Sequence, residues 1–298
     1  MNRKTSLRPS PTALLNPRCD ASFKAMFTAE TVDSDAALKD FISTILDRPV
    51  KEIRLLKNEP PIQVAGESRM SFDVSVKFDD GEVIDLEMQS RQEDYDYASR
   101  AEIQLARLLS TNSRAGDKWH SPAAYQISVL NFEFDKDDNS PLSWYTMRKE
   151  NGGRLSGKLN VIFFDLIKIH RLLGKPVEEL SKLEKWGLFL SYADDERQRE
   201  YIDAITRSEE GIMQAKSSLL TVSQDEINWA TQNSIFIAKE DQAAILYNAE
   251  QRGVRKNAIA NARNFLKETS LPIEQIARCC SLPLEQVLAL KDEIDKMS

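Results

Sequence analysis

Two carboxylates and one amide, Asp73, Glu87 and Gln89, are spaced to act together if the stretch Met70–Gln89, MSFDVSVKFDDGEVIDLEMQ, folds as a β-hairpin. Apolar and polar residues alternate on both sides of Asp79-Asp80-Gly81, where glycine accepts the positive φ of a short turn. Phe72, Val74, Val76 and Phe78 then leave one face, and Asp73, Ser75 and Lys77 the other. On the second strand Ile84, Leu86 and Met88 alternate with Val83, Asp85, Glu87 and Gln89. With the loop at Asp79–Gly81, cross-strand partners have numbers summing to 160, so Asp73 stands opposite Glu87. Opposed β-carbons lie about 4.5–5.5 Å apart, where like charges repel unless something positive lies between them. A divalent cation answers that need, since Mg²⁺ takes one or two carboxylates together with water and substrate phosphate oxygens. The same alternation also fits an edge hairpin whose polar face is simply solvated.

Around this hairpin the chain supplies helices and further strands. Asp20–Phe27 opens a helix, with Asp20 or Ser22 suited to capping and Phe23, Met26 and Phe27 at helical spacing. Ala36–Leu46 is a second amphipathic helix, ended by Arg48-Pro49, and Val50–Leu56 is a first strand that Pro60-Pro61 separates from the hairpin. Tyr95–Asn112 is a helix with Ala101, Leu105, Leu108 and Leu109 on its apolar side. Arg100 and Arg107 share another face of it, with Gln104 between them. Ala124–Phe134 reads as a strand central in the sheet, Trp144–Lys149 as a short strand, and Leu159–Ile169 as another, with Asp165 and Lys168 its charged residues.

From Pro176 the pattern turns helical, through Glu200–Ala215 and Gln224–Tyr247, with Trp186 and Phe189 assigned to core. In the tail, Ser270-Leu-Pro-Ile-Glu-Gln is echoed by Ser281-Leu-Pro-Leu-Glu-Gln. Each reads as a helix start, with Ser at the cap, Pro in the first turn and Glu reaching back. Following a long helix at Ala258–Thr269, the pair resembles a helix-turn-helix unit, though its acidic second helix suits protein contact or capping better than base reading.

Composition narrows the class. The 298 residues are 41% hydrophobic and 29% charged, as in globular proteins with a proper core. No apolar run approaches the roughly 20 residues a membrane helix needs, and the first residues lack the apolar stretch of a signal peptide, so a cytoplasmic protein is expected. Cys19, Cys279 and Cys280 provide neither a disulfide framework nor a CxxC pair, and with His120 and His170 the only histidines a structural zinc site is not expected. A net charge of −7 speaks against nonspecific coating of nucleic acid, so phosphate contacts must be concentrated.

Asp-x-x-Phe-Lys at Asp20–Lys24, Asp73 with Glu87-x-Gln89, and Arg100, taken in this order, resemble the PD-(D/E)XK nuclease family transposases, or recombination-promoting nucleases (the Rpn family). That branch is similar in having Glu-x-Gln where many relatives have Glu-x-Lys. The resemblance implies an α/β fold with a restriction-endonuclease-like PD-(D/E)XK core, a mixed sheet flanked by helices, followed by a helical C-terminal region. It implies a flexible arm over residues 1–18, a nuclease-like domain over 19–172, and a helical region over 173–298 ending in the helix-turn-helix-like unit.

The implied activity is metal-dependent DNA endonuclease chemistry, tied to transposition, recombination or phage defence. Asp73 and Glu87 would hold Mg²⁺ or Mn²⁺, and Gln89 would orient water or substrate. Glutamine cannot carry the charge of the usual lysine, so Arg69, Arg100 or Lys77 would supply it, with Asp20 and Lys24 as accessory groups from the first helix. The expected partners are DNA and a second copy of the chain, docked through the helical C-terminal region. A degenerate nuclease fold that only binds nucleic acid or protein is the alternative.

Overall fold

A computed structural model describes residues 12–56, 74–78, 81–92, 96–112, 121–225, 253–269 and 271–297. The chain divides into two compact units, Met1–Gln232 and Asn233–Ser298. In the first, α1 (Asp20–Thr28) and α2 (Val32–Leu46) precede β1 (Ile53–Leu55), the hairpin β2 (Val74–Phe78) and β3 (Glu82–Gln89), and α3 (Tyr97–Asn112). There follow β4 (Ala124–Leu130), β5 (Leu142–Thr146), β6 (Leu159–Asp165), α4 (Leu166–Ile169), α5 (Lys182–Tyr192), α6 (Arg199–Ser208) and α7 (Glu210–Gln224).

The described strands form one six-stranded mixed sheet in the order β1-β2-β3-β4-β6-β5. β3, β4 and β6 run parallel, and the other neighbours pair antiparallel. Parallel strands need a crossover, and α3 provides the one from β3 to β4. β4, covered on both faces, is buried along its whole length, including its polar residues Gln126 and Ser128.

Two cores result, one on each face of the sheet. Val74, Val76, Phe78, Ile84, Leu86 and Met88 enter the larger, together with α1, α2 and the helices α5–α7. At its centre, fully buried Trp186 packs with ring centroids 4.9 Å from Phe41, 6.1 Å from Phe189 and 6.3 Å from Phe27. The smaller core lies under α3, where Tyr97, Ala101, Leu105 and Leu108 meet Val83, Ala124 and Phe163.

Local chemistry explains the element ends, and several differ from the sequence expectation. The hairpin turn matches it: Gly81 has φ 88° and its N–H donates to the Phe78 carbonyl at 3.0 Å. On α1 the cap position falls at Cys19 rather than Asp20 or Ser22, and it makes no side-chain cap hydrogen bond. α2 begins before Ala36, because Thr31 and Ser34 form a reciprocal capping box. β6 ends at Asp165, short of Ile169: the Asp165 carboxylate accepts from the N–H groups of Ile167 and Lys168 and so starts α4. The single helix expected over Glu200–Ala215 is two, broken at Glu209, whose backbone is extended (φ −138°, ψ 117°).

The domain boundary expected at residue 172 does not separate two cores, since α5, α6 and α7 close the same apolar layer as α1 and α2. Nor are residues 12–18 a free arm. The Leu15 N–H donates to Ser223 Oγ at 2.8 Å, Arg199 donates to the Thr12 carbonyl at 3.2 Å, and Arg18 pairs with Asp194 at 3.4 Å. α5 is set against α4 so closely that a Cβ on Gly187 would lie 2.7 Å from Ile169 Cγ1 and 2.9 Å from Phe164 Cζ. Gly187→Ala is therefore expected to cost about 1–3 kcal/mol as an overpacked core, read as a lower urea midpoint with unchanged slope.

The second unit contains α8 (residues 253–268), α9 (Ile273–Cys280) and α10 (Leu284–Met297) around a small core of Ala262, Ile276, Ala277, Cys280, Val287 and Leu290. Ser281 does not cap α10 from in front. It ends α9 in the left-handed conformation (φ 52°), with the Leu282 N–H donating to the Ala277 carbonyl at 3.0 Å. The cap expected at Ser270, and the helix expected over Gln224–Tyr247 beyond residue 225, lie outside the described residues.

Candidate active site

Glu87 stands near the C-terminal end of β3, between an antiparallel neighbour and a parallel one. The pairing Val74↔Leu86, Ser75↔Asp85, Val76↔Ile84 and Lys77↔Val83 has the register read from the sequence. Because Leu86 and Met88 fill the larger core, Glu87 and Asp85 must leave the opposite face, toward α3. That face is not solvated. Ser75, Asp85, Glu87, Gln126 and Ser128 are all at most 1% exposed.

Burying a carboxylate is costly unless hydrogen bonds and charge compensate it, and α3 brings both. Gln104 Nε2 donates to Glu87 Oε1 at 2.5 Å, Gln89 Nε2 donates to Oε2 at 3.3 Å, and Arg100 Nη2 lies 3.7 Å from Oε2. Arg100 and Gln104 are one helical turn apart, so both reach the same point on the sheet. The Arg100 side chain remains 39% exposed, which puts the opening of the site on its side. Burial lifts the Tyr97 phenol above its ordinary range and the Glu87 carboxylate pushes the same way, so the ring remains a neutral hydrogen-bond donor.

Of the residues expected at the site, Glu87, Gln89 and Arg100 come together. Asp73 and Arg69 lie outside the described residues. Lys77 sits at the turn end of the hairpin: it pairs with Val83, four residues before Glu87, a separation of about 13 Å along the strand. Asp20 and Lys24 belong to α1, whose Phe23, Met26 and Phe27 pack on the other face of β3, in the core that takes Leu86 and Met88.

Sequence reasoning did not assign Asp85, Gln104, Tyr97 or Gln126 to the site. Their signal is positional: Asp85 has the parity of Glu87, and Gln104 follows Arg100 by one turn.

Among the described residues no three His, Cys, Asp or Glu side chains are grouped to hold a metal. The donor set nevertheless fits a hard divalent ion. It consists of carboxylate, amide and hydroxyl oxygens without sulfur or imidazole. Ser75 Oγ, Gln126 Oε1 and Gln104 Oε1 on this face are buried and have no hydrogen-bond partner among the described residues, a polar lining that suits a hydrated ion.

A family model described as PD-(D/E)XK nuclease family transposase matches residues 17–249. No curated protein and no solved structure matches the chain.

Proposed function

Because the chain belongs to the PD-(D/E)XK nuclease family transposases, we propose that it is a divalent-metal-dependent DNA endonuclease that hydrolyses phosphodiester bonds at Glu87. The observation that carries the reading is the buried Glu87 carboxylate, held by Gln104 and Gln89 with a half-exposed arginine at its edge. Glu87 and Asp73 would hold Mg²⁺ or Mn²⁺. Bound there, the ion supplies Lewis acidity toward water and the scissile phosphate.

The remaining steps belong to side chains. Gln104 holds Oε1 and thereby leaves Oε2 facing the open side with Gln89 and Arg100. Gln89 is neutral, so it positions water or a phosphate oxygen by hydrogen bonding without adding charge. The missing charge comes from Arg100. Its guanidinium lies 3.7 Å from Glu87 on a side chain that is 39% exposed, and a phosphate offers it the two-point contact that guanidinium geometry favours. Arg69 would act beside it. Transposition, recombination or phage defence is the biological setting that the family supports, with DNA as substrate.

Among the described residues no helix is long and apolar enough to cross a membrane. A cytoplasmic enzyme that pairs with a second copy through its helical C-terminal region is part of the same proposal.

The test is cleavage of supercoiled plasmid by the full chain in Mg²⁺ or Mn²⁺, against EDTA, with the Asp73→Asn and Glu87→Gln variants. Cutting that requires metal and both carboxylates supports the reading. Absence of cutting by the unaltered chain in either metal would move it to a nuclease-fold binding protein, a role that Gln89 in place of lysine would permit. A second expected outcome concerns Gln104, which acts through Glu87. Gln104→Leu should weaken Mn²⁺ binding about 10–100-fold, as loss of an outer partner of a metal ligand does, measured by calorimetric titration.

A further inference from the structure

Buried polar atoms without partners are gathered in one place. Around Asp85 and Glu87, among the described residues, they are Ser75 Oγ, Gln126 Nε2 and Oε1, and Gln104 Oε1. Away from this face the same holds for His170 Nε2 and Ser191 Oγ. An unsatisfied buried polar atom costs about 1–3 kcal/mol, so a cluster of this size marks a place where something polar is held.

The register says where. Asp85 pairs with Ser75 on one side and Gln126 on the other, and Glu87 pairs with Ser128. The unpartnered Ser75 hydroxyl and Gln126 amide therefore flank Asp85, and the Ser128 hydroxyl stands beside Glu87, in neighbouring rows of one sheet face. Residues two apart on a strand are separated by about 7 Å, and carboxylate oxygens reaching toward each other across that gap can share an ion at metal–oxygen distances of about 2.0–2.6 Å. Asp85 itself is fully buried. Water could satisfy the hydroxyls and the amide, whereas a hydrated cation satisfies them and offsets charge on both carboxylates.

We infer that Asp85 is a ligand of a divalent cation held between it and Glu87, with Ser75, Gln126 and Ser128 hydrogen-bonding the ion's water shell. The inference rests on the reading of Glu87 as a cation ligand and adds a carboxylate that the hairpin argument did not assign. The oxygen-only lining selects a hard ion of the Mg²⁺ or Mn²⁺ type over zinc or copper.

The experiment is calorimetric titration of the full chain with Mn²⁺, without nucleic acid, comparing the unaltered protein with Asp85→Asn, Glu87→Gln and Ser75→Ala. Melting in EDTA, followed by circular dichroism, verifies folding. Asp85→Asn is expected to weaken Mn²⁺ at least about tenfold, the lower end for disturbing a metal site, and to reduce the rise in Tm that Mn²⁺ produces. Ser75→Ala, which leaves every charge in place, should weaken Mn²⁺ several-fold and decides the matter if Asp85→Asn does not fold. Unaltered Mn²⁺ affinity in Asp85→Asn, with binding lost in Glu87→Gln, overturns the role of Asp85 and leaves Glu87 standing. Weakened binding in Asp85→Asn with none lost in Glu87→Gln supports Asp85 and removes Glu87. If the unaltered protein takes up no Mn²⁺, both readings fall.

Discussion

Glu87→Gln should lower metal-dependent plasmid cleavage about a thousandfold, while the protein still folds. The substitution keeps the side chain's size and removes its charge. If the carboxylate holds the ion, its loss forfeits the several kcal/mol that a bound metal contributes to charge stabilisation, and each 1.36 kcal/mol is about tenfold in rate. A stability cost follows from the same contacts. Gln104 and Gln89 each donate an N–H to the carboxylate, and an amide at position 87 turns one oxygen acceptor into a donor facing a donor. A penalty of about 1–3 kcal/mol is expected from such a mismatch, so cleavage should be assayed at a temperature where denaturation curves show the variant folded. Cleavage within a few-fold of the unaltered protein would remove Glu87 from the mechanism.

Trp186→Ala should cost about 3–5 kcal/mol of stability, the range for truncating a large buried aromatic, without touching the chemistry directly. Trp186 lies in the core opposite the Glu87 face, packed against Phe27, Phe41 and Phe189, and its indole N–H donates to Asp40 Oδ2 at 2.9 Å. Truncation leaves a cavity between α5 and the first two helices and strips Asp40 of a donor. Against a total stability of typically 5–15 kcal/mol, this removes a large share. Urea denaturation followed by far-ultraviolet circular dichroism reads it. For the same reason a chain ending at Leu172 should not fold, because α5–α7 supply one wall of the core that holds the sheet. A cooperative transition in that shortened chain would restore the domain boundary expected from the sequence.

The hairpin was legible because a period of two leaves little freedom: once Gly81 takes the turn, the parity and register of every residue on β2 and β3 follow. Trp186 and Phe189 were legible as core because aromatic side chains at helical spacing have few other uses. The environment of the polar face was not. Alternation marks which residues share a face, but burial of that face depends on α3 lying over it, a contact made across sequence. Hence a solvated edge and a buried site read alike at Asp85 and Glu87. Gln104 was seen on the arginine face of its helix without a role, since its partner is supplied by the crossover. The boundary at residue 172 failed for a related reason: a change from strands to helices marks a change of secondary structure, whereas a domain ends where packing ends.

The larger core is assembled from both extremes of the first unit, and this sets an order of events during synthesis. Ser218 Oγ bonds the Met26 carbonyl and Ser223 Oγ receives the Leu15 N–H, contacts that span 192 and 208 positions of the chain. At about 5–20 residues per second on the ribosome, Phe23, Phe27 and Phe41 must wait roughly 10 seconds or longer for α7 to emerge. Until then the apolar layer of α1 and α2 lacks the wall that α5–α7 provide, and slowed translation between α5 and α7 should lower the soluble yield.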